Sequence, residues 1–553
     1  MRRGSLTFIL VLFSIQLYSQ TNPNDSGGIL SPEQAAYDVT FYDLDMRIDP
    51  ADSSIQGILT MYANITIATE HIVLNLDTLL TVEKILNKSG NEHRFSRDRG
   101  NIWIEPGRTL QPGEFTVFKI HYHGKPRSGQ KGKFNKFIWA ETAGGEPWVG
   151  VSCEYSGADI WWPCKDHPSD EPDSMALHFT VPENLLAVSN GRLISSKSNQ
   201  DGTRTFDWFV SSPISNYSVS VYVAPYVEIQ EKFKSVSGDV IPVSFWALPE
   251  NESKAKEFLP GFLEHLAFFE KLLGPYPFRS DKYGITEAPY LGMEHQTVIA
   301  YGGNYDFRSM GDVDWGFDAL HQHELAHEWF ANLVSPSDWS DLWLSEGLAS
   351  YMQIIYAEHK LGKTKADELM EIIRSYITNK QPVVLPRGAI FSEAYDMDVY
   401  FKGASMLHTL RHLIGDQKFN LLLRRWAYPD PEDEKKVNGE ACRFVSTPDF
   451  EKLAEKISGM KLDWFFGVYL YQKDLPVLNI NKTDNFLNLT WAITDHSNFP
   501  MPVDIKIDGK IQRVELPGGH ASVPLTAESK WQIDPGKWIL FATGDTPSPG
   551  VLK

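Results

Sequence analysis

The chain has 553 residues, 42% of them apolar and 12% aromatic, and a formal charge of −19. That is enough to bury large cores in roughly two to four domains, and the acidic balance argues against nucleic acid and anionic membrane as partners while leaving open a small ligand in a local pocket. Three cysteines, Cys153, Cys164 and Cys442, exclude a disulfide framework and allow one bridge at most.

Residues 1–20 begin with Arg2 and Arg3, continue with an apolar run from Leu6 to Leu17 and end in small polar residues at Ser19 and Gln20. This is the pattern of a signal peptide, too short to span a bilayer comfortably, and it predicts an exported protein, periplasmic or secreted, cleaved near residue 20 with no membrane span in the mature chain. Cleavage takes away two arginines and no acid, so the mature chain is more acidic still. Residues 21–229 are rich in short alternating or apolar runs such as YDVTFYDLDMRI, IQGILTMYANITI and YSVSVYVAPYVEI, punctuated by Gly, Pro and Asn or Asp. They predict a large antiparallel β domain.

Residues 230–473 change character. A helical period between Pro249 and Gly274 stops at a Gly-Pro pair, and Gly292, Met293, Glu294 and His295 fall on an edge strand or its loop, continued by Gln296 to Ile299. Helical stretches follow to Tyr471, with Gly362, Gly415 and Gly459 as stops. From residue 474 to 545 strand patterns return, predicting a small β-sandwich, and residues 546–553 form a tail.

The segment HELAHEWFANLVSPSDWSDLWLSE, from His323 to Glu346, carries the chemistry. Residues four apart on a helix share a face, so His323 and His327 can both turn an imidazole toward one cation, with Glu324 beside them. HExxH alone is only moderately specific. Its surroundings are apolar (Leu325, Ala326, Trp329, Phe330, Leu333), which buries all three polar side chains, and unpartnered buried charge is costly. A catalytic zinc takes three protein ligands and keeps one position open, and Glu346, eighteen residues beyond His327, is placed to be the third if a turn through Ser335, Pro336 and Ser337 leads into a second, antiparallel helix.

This segment, with Glu346 inside LSEGLASY, resembles the gluzincin zinc aminopeptidases of the aminopeptidase N family. LGMEH, Leu291 to His295, is similar to the family's exopeptidase motif GAMEN; VYFKGA places Tyr400 at its catalytic tyrosine; and SCEYSGADIWWPCKDHPSDEP, from Ser152, resembles the segment leading to its substrate site. The chain departs from the family at Ser152, where glutamine is usual, at Leu291 and Gly292, and at His295, where asparagine is usual. The resemblance implies a multidomain α+β protein: an N-terminal antiparallel β domain, a thermolysin-like zinc catalytic domain and a small C-terminal β-sandwich, without the helical domain that larger members add.

It also implies one Zn²⁺ per chain on His323, His327 and Glu346, with Glu324 as proton acceptor and donor, Tyr400 as oxyanion donor, and Glu154, Gly292, Met293 and Glu294 binding the N-terminus of a peptide. Peptides with a free N-terminus are then the partners. An endopeptidase, an epoxide hydrolase (the family includes a leukotriene epoxide hydrolase) and a non-catalytic peptide-binding module stay open as alternatives. The preferred first residue, the physiological substrate and the oligomeric state are not encoded in any motif.

Overall fold

In a computed structural model of the chain, residues 25–133, 136–308, 310–495 and 498–543 are described. The predicted signal peptide, residues 1–20, and the tail, 546–553, lie outside them. The N-terminal part is β-rich because its apolar residues recur with period two: in Ser174–Pro182, Met175, Leu177, Phe179 and Val181 are buried while their neighbours are half-exposed. A seven-stranded sheet runs in the order Arg192–Ser198, Thr203–Val210, Ser174–Pro182, Tyr37–Asp49, Ser54–Ile65, Phe115–Gly124, Leu80–Asn87. The expectation of an antiparallel domain needs correcting at its centre, where Tyr37–Asp49 and Ser174–Pro182 pair in parallel, Phe41 opposite Ser174. The chain between them builds other strands and re-enters the sheet in the same direction, which no local hairpin signal reports.

A second sheet of five strands includes Pro147–Ser152, which delivers the chain to Cys153 and Glu154. The three cysteines are all free, so the one bridge that their number allows is not formed.

The catalytic part opens with another five-stranded sheet, ordered Val227–Lys234, Val240–Ala247, Tyr283–Glu287, Ile299–Tyr301, Gly292–Met293. Its first strand straddles the predicted boundary at residue 229. Gly292–Met293 is an edge strand of two residues, and the stretch after it turns instead of continuing it, so that Ile299–Tyr301 folds back to pair with it. Nine α-helices occur among the described residues: α1 (Glu252–Leu273), α2 (Ala319–Ala326), α3 (Trp343–Leu361), α4 (Lys363–Arg374), α5 (Phe391–Ala394), α6 (Met397–Ile414), α7 (Asp416–Ala427), α8 (Thr447–Ser458) and α9 (Asp463–Tyr469). α3, α6 and α8 end where predicted, at Gly362, Gly415 and Gly459. No helix among the described residues is long and apolar enough to cross a membrane. Two small sheets, around Phe486–Ala492 and Val503–Ile507, follow and bury Leu478, Leu487, Leu489, Val503 and Ile505.

The link between α2 and α3 is less regular than the predicted turn. α2 ends at Ala326, a wider turn over Glu328–Leu333 breaks at Phe330, and Val334–Pro336 then pairs in parallel with Arg443–Val445. α3 and α6, which carry Glu346 and Tyr400, touch without side chains between them. A Cβ on Gly347 of α3 would lie 2.9 Å from the Val399 carbonyl and 3.2 Å from the Gly403 Cα of α6. Gly347→Ala gains helix propensity of about 1 kcal/mol but meets backbone that cannot yield, and forcing the helices apart costs about 1–3 kcal/mol. A net fall in the thermal unfolding midpoint is expected, checked by calorimetry; an unchanged or raised midpoint would mean that the crossing is loose.

Candidate metal centre and active site

α2 begins at Asp318, whose side chain accepts from the His321 N–H at 2.9 Å and so caps the helix. His323 and His327 then face the same way, and α3 brings Glu346 against them. His323 Nε2 and His327 Nε2 are 3.2 Å apart, and Glu346 Oε2 lies 3.2 Å from the first and 3.5 Å from the second. Ligands at about 2.0–2.1 Å from a tetrahedral zinc are separated by about 3.3–3.4 Å, so the three atoms already stand at the edges of such a polyhedron. His327 Nδ1 is 3.2 Å from the Phe330 carbonyl and 3.0 Å from Ser345 Oγ. A carbonyl only accepts, which puts the proton on Nδ1 and turns the Nε2 lone pair inward. Glu346 Oε2 is buried and lacks a hydrogen-bond partner. Two imidazole nitrogens and a carboxylate oxygen are also a donor set that zinc accepts, and the residues fit the metal.

The electrostatics agree. Burial alone would lower the His327 imidazole, but Glu346, Glu294 and Glu324 push it up to about 10; burial would raise Glu346, but His327 and His323 hold it down to about 2. The potential at this point is strongly negative, and what attracts a proton there attracts a divalent cation.

Glu324 has its carboxylate within 4.8 Å of ligand atoms of Glu294 and His327. Gly292 makes room for it: a Cβ there would stand 2.6 Å from Glu324 Oε1 and 2.7 Å from Leu320 Cδ1, so the edge strand passes directly over the carboxylate. Burial, then Glu294, raises the Glu324 carboxyl well above its ordinary range. Glu294 is fully enclosed, accepts from the Tyr217 hydroxyl at 3.0 Å, and forms a second acidic group with Glu154 and Glu346, again within 4.8 Å. Glu154 Oε1 is buried and unpartnered, and burial followed by repulsion from Glu294 raises its carboxyl as well. Met293 receives a contact from Ser152 Oγ at 3.5 Å to its sulfur.

Tyr400, in the first turn of α6, donates to Glu346 Oε1 at 3.0 Å, and burial beside that carboxylate holds its phenol protonated. Tyr395, nearby in sequence, sits edge-on to the Tyr400 ring and is partly exposed. His295 turns elsewhere: Nδ1 contacts the Tyr222 hydroxyl, which continues to Tyr290, and burial lowers the imidazole to about 3, so it is neutral.

Sequence reasoning missed Tyr217, which lies in a single 3-10 turn, Asn216–Ser218, with no local signature. It also missed Glu328 and Asn332, which hold the backbone after Glu294; Glu328 sits in an apolar stretch directly after the second histidine, and a charge so placed was itself a signal that a buried partner was needed.

Two antiparallel helices that bring two histidines and a glutamate to one point, beside a sheet edge, place the chain in the class of proteins with a candidate zinc site. Comparison with known sequences narrows the class to a family. The description "Peptidase M1 N-terminal domain" matches residues 39–218 and "Peptidase family M1 domain" matches residues 264–438, and the chain belongs to peptidase family M1. Endoplasmic reticulum aminopeptidase 1 of Homo sapiens is 27% identical over 424 residues, 71% of this chain and 44% of that protein. Aminopeptidase M1 of Arabidopsis thaliana is 24% identical over 473 residues, 81% of this chain and 52% of that protein. The chain thus spans about half the length of these relatives. In fold it resembles an M1 zinc metallopeptidase from Deinococcus radiodurans, solved as a mutant bound to a Tyr-Ser-Ala substrate, with a TM-score of 0.66, 24% identity, and coverage of 82% of this chain and 98% of that one.

Dialysed protein is expected to take up about one zinc per chain, and His323→Ala or Glu346→Ala to reduce this to near zero with the fold retained. Elemental analysis with circular dichroism checks it; full zinc content in either variant would place the metal elsewhere.

Proposed function

We propose that the protein is a zinc aminopeptidase that removes the N-terminal residue from peptides. The observation that carries this reading is the buried carboxylate of Glu294, which clusters with the general-base candidate Glu324 and His327 in one group and with Glu154 and Glu346 in another. A substrate ammonium is repelled by a metal cation and must be desolvated to approach it, so it needs carboxylates already in place. Glu294 and Glu154 supply two, and a free amine held there fixes where along the chain the peptide is cut. The aminopeptidase names of the M1 relatives agree.

Zinc on His323, His327 and Glu346 would supply Lewis acidity toward the scissile carbonyl. Glu324 takes a proton from the attacking water as its oxygen bonds to the carbonyl carbon, then delivers that proton to the departing nitrogen as the C–N bond breaks. Tyr400, protonated at neutral pH, donates a hydrogen bond to the oxyanion formed on the way. Edge strand Gly292–Met293 offers unpaired backbone groups to an extended peptide. Export is part of the proposal and rests on residues 1–20; N-terminal sequencing of protein recovered outside the cytoplasm tests it, with a start near residue 21 expected.

Glu324→Gln is expected to keep zinc and lose several orders of magnitude in kcat, since an amide cannot accept the proton. Tyr400→Phe should cost about 10²- to 10³-fold in kcat with KM nearly unchanged. Steady-state kinetics on zinc-loaded variants check both, and a Tyr400→Phe protein altered in KM alone would make the tyrosine a binding residue. Glu294→Ala should cost about 2–5 kcal/mol in kcat/KM for an aminoacyl amide and much less for its N-acetyl analogue. Equal losses on the two substrates would remove the support for an exopeptidase and favour an endopeptidase.

A further inference from the structure

Thr297 adopts a conformation that its side chain disfavours. It is fully buried with φ of 62°, and a β-branched residue at positive φ is a genuine outlier. The His295 carbonyl accepts from the Val298 N–H at 2.9 Å, closing a four-residue turn centred on Gln296 and Thr297. Of these two only Thr297 has positive φ, the pattern of a type II turn, whose third position normally belongs to glycine.

The hydroxyl accounts for the threonine. Its Oγ1 donates to the Gln296 carbonyl at 2.6 Å and accepts from the Gly191 N–H at 2.8 Å. Gly191 belongs to the N-terminal β domain. So do Asn190, whose Nδ2 donates to the Gln296 carbonyl at 2.7 Å, and Ser218, whose Oγ accepts from the Gln296 N–H at 2.7 Å. From the catalytic side, Glu328 Oε1 accepts from the Thr297 N–H at 2.9 Å and Asn332 Nδ2 donates to the Glu294 carbonyl at 3.0 Å. The turn that begins one residue after Glu294 is therefore gripped by both domains, and its strain persists because the surroundings over-determine it.

We propose that Thr297 is a positioning residue for the amine anchor, its hydroxyl tying the turn to the N-terminal domain so that Glu294 stands where a substrate ammonium must be met. The proposal rests on the aminopeptidase reading above. Thr297→Val keeps the branched shape but leaves the Gly191 N–H without its acceptor, whereas Thr297→Ser keeps the hydroxyl. In zinc-loaded full-length protein, Thr297→Val is expected to raise KM for an aminoacyl amide about tenfold, to change kcat less than about threefold, and to shrink the preference over the N-acetyl analogue, because small displacements of a binding group are expensive. Thr297→Ser should bring KM back to within about threefold of the wild type.

A Thr297→Val protein with wild-type KM and undiminished preference overturns the proposal, as does a Thr297→Ser protein equally impaired. If Thr297→Val fails to fold, Ser218→Ala removes a tie to the same turn: a KM raised for free amines alone supports the proposal, and an unchanged KM overturns it. A wild-type enzyme with no preference for free amines would instead overturn the aminopeptidase reading, and the proposal with it, before any variant is compared.

Discussion

Three electron-rich atoms, Nε2 of His323 and His327 and Oε2 of Glu346, lie within 3.5 Å of one another inside the protein. Without a shared proton or cation they repel, and they are dehydrated, so the arrangement stands because the rest of the structure holds it and because a positive charge can join it. Much of the catalytic domain reads as a frame for that point. The cap at Asp318 sets the start of α2, the Phe330 carbonyl fixes one imidazole, and the bare contact between Gly347 and Gly403 lets α6 approach α3 closely enough for Tyr400 to reach Glu346.

The same point organises the charges. Glu154, Glu294, Glu324 and Glu346 are all buried around it, an excess of negative charge no apolar interior would tolerate by itself. A divalent cation and a substrate ammonium together carry three positive charges against these four carboxylates. Counted with all four ionised, the site is closest to neutrality when it is loaded with both metal and a free amine, with one carboxylate uncompensated, whereas an acetylated substrate leaves two. Under the proposed function, selectivity for a free N-terminus would follow from this balance as much as from shape.

Short-range regularities were legible in the sequence. The HExxH spacing, the glycines after α3, α6 and α8 and the alternation within strands such as Ser174–Pro182 are all set by helix or strand geometry over a few residues. What escaped is what depends on distant chain. Tyr217 meets Glu294 across 77 residues, the link between α2 and α3 is shaped by pairing with Arg443–Val445, and the strand expected to continue past Glu294 turns because both domains grip it. No pattern within one segment carries such information, because each of these features belongs to two segments at once.

The parallel pair at the centre of the seven-stranded sheet bears on how the protein comes to be. Tyr37–Asp49 can join Ser54–Ile65 as soon as both exist, since only a short turn separates them, but its other edge is completed by Ser174–Pro182, more than a hundred residues further on. Closing so long a loop is slow compared with forming a hairpin. During synthesis the hairpin therefore waits with one edge open and Tyr42, Leu44 and Met46 uncovered, an unpaired apolar strand of the kind that recruits other chains. The nascent N-terminal domain is most vulnerable to misassembly in this interval, and a holding factor that keeps the chain unfolded until residue 182 has emerged would act on the step that topology makes slowest.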